Sequence, residues 1–190
     1  MSALNIVAVS GNPGTPSRTR ALVDVVLAAL RERVSGVQHV VDLAEVGLDL
    51  AHSSYRKQLG ARAEAALGRI EAADLLVVAS PVYRGSYTGL FKHVFDLVDL
   101  DALAGVPVLL AATGGSDRHA LVIEHQLRPL FGFFRAVSVP TGLYATEADF
   151  EHYRLVSTAV RQRVAAAADE VVDLALARAA RIDRRIAAVA

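Results

Sequence analysis

Five short apolar, β-branched runs divide the chain: Leu4 to Ser10, Val37 to Leu43, Leu75 to Ala79, Pro107 to Ala112 and Ala136 to Val139. Their length and lack of alternation predict strands covered on both faces. Between them apolar residues recur at helical spacing. Leu22, Val25, Val26, Ala29 and Leu30 share one face, as do Ala65, Leu67 and Ile70 within a helix predicted over Ala61 to Ala73. Gly89 to Leu97 carries Leu90, Val94 and Leu97 on one face and a Lys92–Asp96 pair at i, i+4 on another. Leu48 to Leu59 reads as loop with short helices. The helix predicted from Arg118 to about Arg135 contains Pro129, which predicts a kink near Gln126 or earlier. Its apolar residues, with Phe133 and Phe134 following, predict burial between the sheet and another subunit. Pro140 to Ala145 reads as an exposed loop, and Asp149 to Ala188 as a long alanine-rich helix with caps at Thr146 or Ser157.

Strands alternating with helices predict an α/β fold, a doubly wound parallel five-stranded sheet of order 2-1-3-4-5 with helices on both faces. In such sheets ligands bind at the carboxyl ends of the strands, and three loops fall there. After the first strand, Gly11-Asn12-Pro13-Gly14-Thr15-Pro16-Ser17-Arg18-Thr19 leads into a helix N-terminus, where unpaired N–H groups, the Ser10, Ser17 and Thr19 hydroxyls and the Arg18 guanidinium suit a phosphate. It is neither a Walker loop nor the dinucleotide fingerprint, because both glycine spacings are absent. After the third, Ser80-Pro81-Val82-Tyr83-Arg84-Gly85-Ser86-Tyr87-Thr88-Gly89 begins where Pro81 ends the ladder, and Tyr83 and Tyr87 flank the turn. After the fourth, Thr113-Gly114-Gly115-Ser116 offers backbone donors. A phosphate loop followed by two loops fit to grip a flat ring suits FMN. Read singly, each is an ordinary strand-to-helix turn.

Composition narrows the chemistry. The 190 residues fit one domain, and 20 basic against 20 acidic residues leave no single-sign block to meet nucleic acid or an anionic membrane. Without cysteine there is no disulfide and no thiolate nucleophile or ligand. His119 and His125 lack the spacing of a metal site, so no metal is expected. Redox chemistry would require a borrowed cofactor. No run approaches a membrane span and the first residues lack a basic region, so a cytoplasmic protein is expected.

Ser10-Gly11 through Thr19, Ser80 to Tyr87 with Lys92 and Asp96, Ala112 to Ser116, His119 and Leu127-Arg128-Pro129 together resemble the NAD(P)H-dependent FMN reductases of two-component alkanesulfonate and methanesulfonate monooxygenase systems. The likeness runs from about Leu4 to Tyr153 and is strongest to the methanesulfonate type. It implies a flavodoxin-like fold and reduction of FMN by NADH or NADPH, with the reduced flavin released to a partner monooxygenase. Ser10, Ser17, Arg18 and Thr19 would hold the FMN phosphate. Pro81, Val82, Tyr83 and Arg84 would line the ring, and Thr113, Gly114 and Gly115, with Ser116 beside them, its pyrimidine edge. Family members form dimers or tetramers through the fourth helix, whose extra aromatic or histidine distorts it near the flavin. His125 takes that position here, with an implied part in flavin release. One departure is Asn12-Pro13-Gly14-Thr15, where relatives often carry an arginine; less positive charge there implies a looser hold on the phosphate.

The implied chemistry is hydride transfer from nicotinamide C4 to flavin N5, with the Gly114 and Gly115 amides stabilising charge on the reduced ring. On that basis a bulky residue at Gly114 is expected to lower turnover more than it changes folding. Two other readings fit the same loops: a quinone or azo reductase that keeps its FMN, and a flavodoxin-like electron carrier.

Overall fold

The computed structural model describes residues 3–188. Strand β1 (Leu4–Ser10) is followed by α1 (Arg18–Arg31), β2 (Gly36–Asp42), α2 (Leu43–Ala51), α3 (Ala61–Glu71), β3 (Leu75–Pro81), α4 (Gly89–Leu97) and β4 (Pro107–Gly114). All pair in parallel, in the order β2-β1-β3-β4, with the fifth position beyond β4. The order 2-1-3-4-5 therefore stands as expected. Because side chains alternate along a strand, each strand feeds two cores. Val7, Val9, Leu76, Val78, Val108 and Leu110 meet α2, α3 and α4 on one face. Ile6, Ala8, Val77, Leu109 and Ala111 meet α1 and the C-terminal helix on the other. Such double coverage explains the unbroken apolar runs.

Local chemistry sets the helix starts. Ser17 caps α1 by accepting from Arg20 N–H at 3.1 Å, and Asp42 caps α2 by accepting from Ala44 N–H at 3.1 Å. Asp42 is buried and also receives Arg20 Nη1 at 2.8 Å, tying α1 to the end of β2. Burial works against the Arg20 charge, but Asp24 and Asp42 outweigh it and hold the guanidinium pKa above its ordinary value.

Four sequence expectations need correction. In α3, Ala63 and Ala66 are buried with Leu67 and Ile70, whereas Ala65 faces solvent. Leu43, read as the end of the second strand, instead starts α2, because the Asp42 cap begins a helix there that buries Leu43 and Leu50 and runs on into the stretch read as loop with short helices, where a 3-10 turn (Arg56–Gln58) follows. The stretch from Pro140, read as an exposed loop, is half strand. Position five of the sheet is shared by β5 (Val137–Ser138), which pairs with Pro107 and Val108, and β6 (Leu143–Thr146), which pairs with Ala111 to Gly114. Pro140 has no N–H for a ladder bond and lies in the gap between them. Arg128 donates to Val139 O at 2.9 Å and Arg163 to Gly142 O at 2.7 Å, filling the acceptors that this break leaves.

The C-terminal helix α6 (Thr158–Ala187) begins nine residues later than Asp149. A 3-10 turn (Glu147–Asp149) and a hairpin of β7 (Phe150–Glu151) and β8 (Arg154–Leu155) come first. Phe150 and Leu155 are drawn into the core, and the loop residues His152 and Tyr153 have φ of 46° and 62°, incompatible with a helix. Ser157 then caps α6 as one of the two expected caps. No helix among the described residues is long and apolar enough to cross a membrane.

Candidate active site

The ends of β1, β3 and β4 are brought level by register, Ser10 against Ala79 and Pro81 against Thr113. Backbone bonds hold the departing loops together: Gly11 N–H donates to Ala79 O and Val82 N–H to Thr113 O, each at 2.7 Å. Gly11 is required by this closeness, since a Cβ there would lie 2.7 Å from Phe91 Cδ2 and 2.9 Å from Ala79 O. Thr88, buried at the N-cap of α4, joins the same knot. Its hydroxyl donates to Gly11 O at 2.9 Å and its N–H to Ser80 Oγ at 3.1 Å. A third tie is the buried pair of hydroxyls Thr19 Oγ1 and Thr113 Oγ1, 2.7 Å apart.

One open cleft results. Ser17, Arg18 and Thr19 line it from the first loop, Pro81, Val82 and Tyr83 from the second, and Thr113, Gly114 and Gly115 from the third, joined by Asn12, Pro16 and Tyr153. Nine of the residues singled out in the sequence thus share one wall. Ser10 lies fully buried beneath the first loop, and its Oγ has no hydrogen-bond partner among the described residues. Ser116 stands behind the cleft, accepting at its carbonyl from the Tyr144 hydroxyl at 2.7 Å. Arg84 is at the tip of a tight turn in which Tyr83 and Ser86 exchange backbone bonds of 2.8 and 3.1 Å. With φ of 52° at Arg84 and 84° at Gly85 this is a type I′ geometry, and it carries the Arg84 side chain into solvent rather than among the lining residues. Tyr87, expected to flank the ring with Tyr83, instead packs inward on Phe91, ring centroids 5.6 Å apart.

His125 lies apart from the cleft. The irregularity expected ahead of Pro129 is a π-helical turn (Ile123–Leu127) leading into α5 (Arg128–Phe133). His125 is exposed, while its neighbour Gln126 accepts from Ser86 Oγ at 3.0 Å, linking this turn to the second loop. Glu124 and Arg128 clasp each other across the junction at 2.6 and 2.9 Å, which lowers the carboxyl pKa and raises that of the guanidinium.

Three groups were missed by the sequence reading. Tyr144 sits so close to Gly114 that a Cβ there would come within 2.0 Å of its hydroxyl. Burial, with the Asp117 charge, raises the Tyr144 pKa and keeps the hydroxyl a donor. Tyr153 lines the cleft with its ring under Arg18, guanidinium carbon to centroid 5.4 Å. Glu147 forms an ion pair with Arg18. None belongs to a loop motif; all three lie in the segment read as loop and helix, and only the folding of β6 and the hairpin onto α1 and β4 brings them here.

A doubly wound sheet of order 2-1-3-4-5, with a capped helix N-terminus and two further loops meeting at its carboxyl edge, defines a flavodoxin-like fold with a nucleotide-type cleft. Within that class the chain belongs to the NADPH-dependent FMN reductase family, whose model matches residues 4–151. It is 51% identical to an FMN reductase (NADPH) of Pseudomonas aeruginosa, covering 91% of this chain and 93% of that one. It is 52% identical to the NADH-dependent FMN reductase SfnF of Pseudomonas fluorescens, with 90% and 91% covered. Among solved structures, an oxidoreductase of Corynebacterium diphtheriae superposes with a TM-score of 0.79 at 38% identity over 92% of this chain and 98% of that one. The apo form of an NADH:FMN oxidoreductase, EMOB, superposes with a TM-score of 0.75 at 30% identity, with 90% and 88% covered.

Proposed function

We propose that the protein reduces FMN at the expense of NADH or NADPH and hands the reduced flavin to a partner monooxygenase, in organosulfur (sulfonate) metabolism. The observation that carries the flavin reading is the meeting of three loops in one cleft above an unpartnered buried hydroxyl, Ser10 Oγ. That orphan suits the group, because a buried hydroxyl without a partner is costly and a phosphate oxygen reaching the base of the first loop would satisfy it. Ser17, Arg18 and Thr19 would hold the phosphate, with the first-turn N–H groups of α1 adding donors that the helix itself leaves free. Pro81, Val82 and Tyr83 would pack the ring, and the Thr113-Gly114-Gly115 backbone would meet its polar edge. FMN, when bound, supplies a ring that accepts hydride from the nicotinamide. The chain's own part is to orient that ring against Tyr83 and to set donors where negative charge develops. Arg84 and Ser116 serve at one remove, Arg84 at the rim and Ser116 as the anchor of the third loop.

The P. aeruginosa relative is named for NADPH and the P. fluorescens relative for NADH, so both donors stay within the proposal. The partner monooxygenase rests on the likeness of the three loops to two-component reductases. Self-association, as a dimer or tetramer in the cytoplasm, is assigned to the face around His125, supported by Leu121 and Phe133, 62% and 67% exposed. His125→Ala is expected to shift oligomeric state or FMN affinity; a variant unchanged in both would remove His125 from the reading.

The deciding experiment is anaerobic oxidation of NADH and of NADPH by the purified protein while free FMN is varied. Saturable turnover of many equivalents of FMN is expected. Oxidation that stops after one bound equivalent and resumes only with a quinone or azo dye would overturn it.

A further inference from the structure

Arg18 is the one charged side chain lining the cleft among the described residues, and it is already engaged. Glu147, from the 3-10 turn after β6, pairs with its guanidinium. The turn that presents Glu147 is itself fixed: Asp149 Oδ2 accepts from Thr146 N–H at 2.7 Å and from the Thr146 hydroxyl at 2.9 Å. Tyr153 reaches under the same guanidinium from a hairpin turn at φ 62°, an unfavourable backbone for an aromatic residue. The 3-10 turn and the hairpin after it therefore bring an anion and an aromatic face to the cation that the cleft would use to bind an anionic ligand. The ion pair is partly in water, the Arg18 and Glu147 side chains being 38% and 61% exposed. Exposed pairs of this kind have little net strength and exchange partners readily.

We propose that Glu147 is a built-in competitor for Arg18, one that sets how tightly the cleft holds a phosphate-bearing flavin. The inference rests on the flavin reading of the cleft. An arriving phosphate dianion must share the guanidinium with Glu147, which engages its Nη2, or displace it, and in either case the carboxylate stays nearby as a like charge. Tyr153 keeps the guanidinium in place over its ring while the partner changes. Affinity is thereby held below what Ser17, Arg18 and Thr19 would provide alone, as suits a reductase whose flavin must leave. A merely structural Glu147–Arg18 tie, fastening the 3-10 turn to α1, would not distinguish flavins with and without phosphate.

The test is equilibrium titration of the full chain, followed by flavin fluorescence, with FMN and with riboflavin, for wild type and Glu147→Gln. The variant is expected to bind FMN about three- to tenfold more tightly, riboflavin unchanged, the scale of removing one partly screened like charge. In an Arg18→Gln background the same substitution should produce a smaller gain, since only the like charge and not the competition for the guanidinium is then removed; an equal gain would overturn the competitor. Should Glu147→Gln fail to fold, Glu147→Asp, with a shorter reach to Arg18, must move the FMN-to-riboflavin ratio in the same direction. An unchanged ratio, or weaker FMN binding, in a folded variant would overturn the competitor while leaving the flavin reading intact. A wild type that bound neither flavin would overturn both.

Discussion

Gly114 and Tyr144 show how single residues tune the third loop. With the Tyr144 hydroxyl 2.0 Å from where a Gly114 Cβ would stand, a side chain there must push the ring aside and break its bond to Ser116 O. Gly114→Val is therefore expected to weaken FMN binding at least tenfold while costing about 1–3 kcal/mol of stability, an overpacking penalty. The structure thus adds a folding cost that the loop motif did not disclose. Tyr144→Phe separates the two effects: it removes only the hydrogen bond, for about 0.5–1.5 kcal/mol, and is expected to loosen FMN binding less. Urea melts and flavin titrations of both variants check the ordering; wild-type FMN affinity in folded Gly114→Val would contradict it. The Thr19–Thr113 pair makes a sharper stability prediction. Thr113→Val leaves the buried Thr19 hydroxyl without its partner, which should cost about 1–3 kcal/mol, readable as a lower urea midpoint with an unchanged slope.

Among the elements, the segment from Thr146 to Ser157 carries a pH signature. Burial alone would push the Asp149 carboxyl up, but the Thr146 N–H and the Thr146 and Ser157 hydroxyls outweigh it, and its pKa falls below the usual aspartate value. A depressed folded pKa gives stability that is fully present above the unfolded value of about 3.9 and is lost as pH falls through the folded value. Stability owed to this group should be flat above about pH 5 and decline below about pH 4. Asp149→Asn should be less stable at neutral pH by about 1–2 kcal/mol, the scale of a charged hydrogen bond, and lose less on acidification. Thermal melts between pH 3 and 7 read both; parallel pH curves for wild type and variant would exclude Asp149 as the source. Elements also differed in how plainly they could be read. α1 and α4 were legible because Ser17 or Thr19 and a clean apolar face announce them. The irregular turn before α5 was legible from Pro129 alone. β6 was not, since Leu143-Tyr144-Ala145-Thr146 is short, follows Pro140 and Gly142, and becomes a strand only because β4 offers an edge.

For the whole molecule, the cleft is assembled from loops anchored in both cores, so ligand binding should be felt globally. FMN at a hundredfold excess over its dissociation constant is expected to stabilise the fold by about 2.7 kcal/mol, raising Tm by roughly 5–10 °C for a chain of this size. Riboflavin at the same concentration should raise it less, since Ser17, Arg18 and Thr19 would have no phosphate to hold. Equal shifts with both flavins would argue against the first loop as a phosphate site.

The order of apolar runs and helical faces pointed to the doubly wound sheet, because strands buried on both sides must be apolar throughout, and the ligand-type loops after the first, third and fourth strands suit the order 2-1-3-4-5. Loop composition likewise identified the residues at that edge, from Ser17 to Gly115, since helix caps, turn glycines and Pro81 are written locally. Tertiary structure alone decided what those residues touch. Tyr87 turned into the core while Tyr83 stayed at the cleft, and Arg84 went to the tip of a turn. Glu147, Tyr144 and Tyr153 reached the site from a segment that no local pattern connects to it. Contacts between residues 129 positions apart, such as Arg18 and Glu147, depend on which edge of the sheet is left open and how the chain crosses it, and no local sequence pattern encodes that.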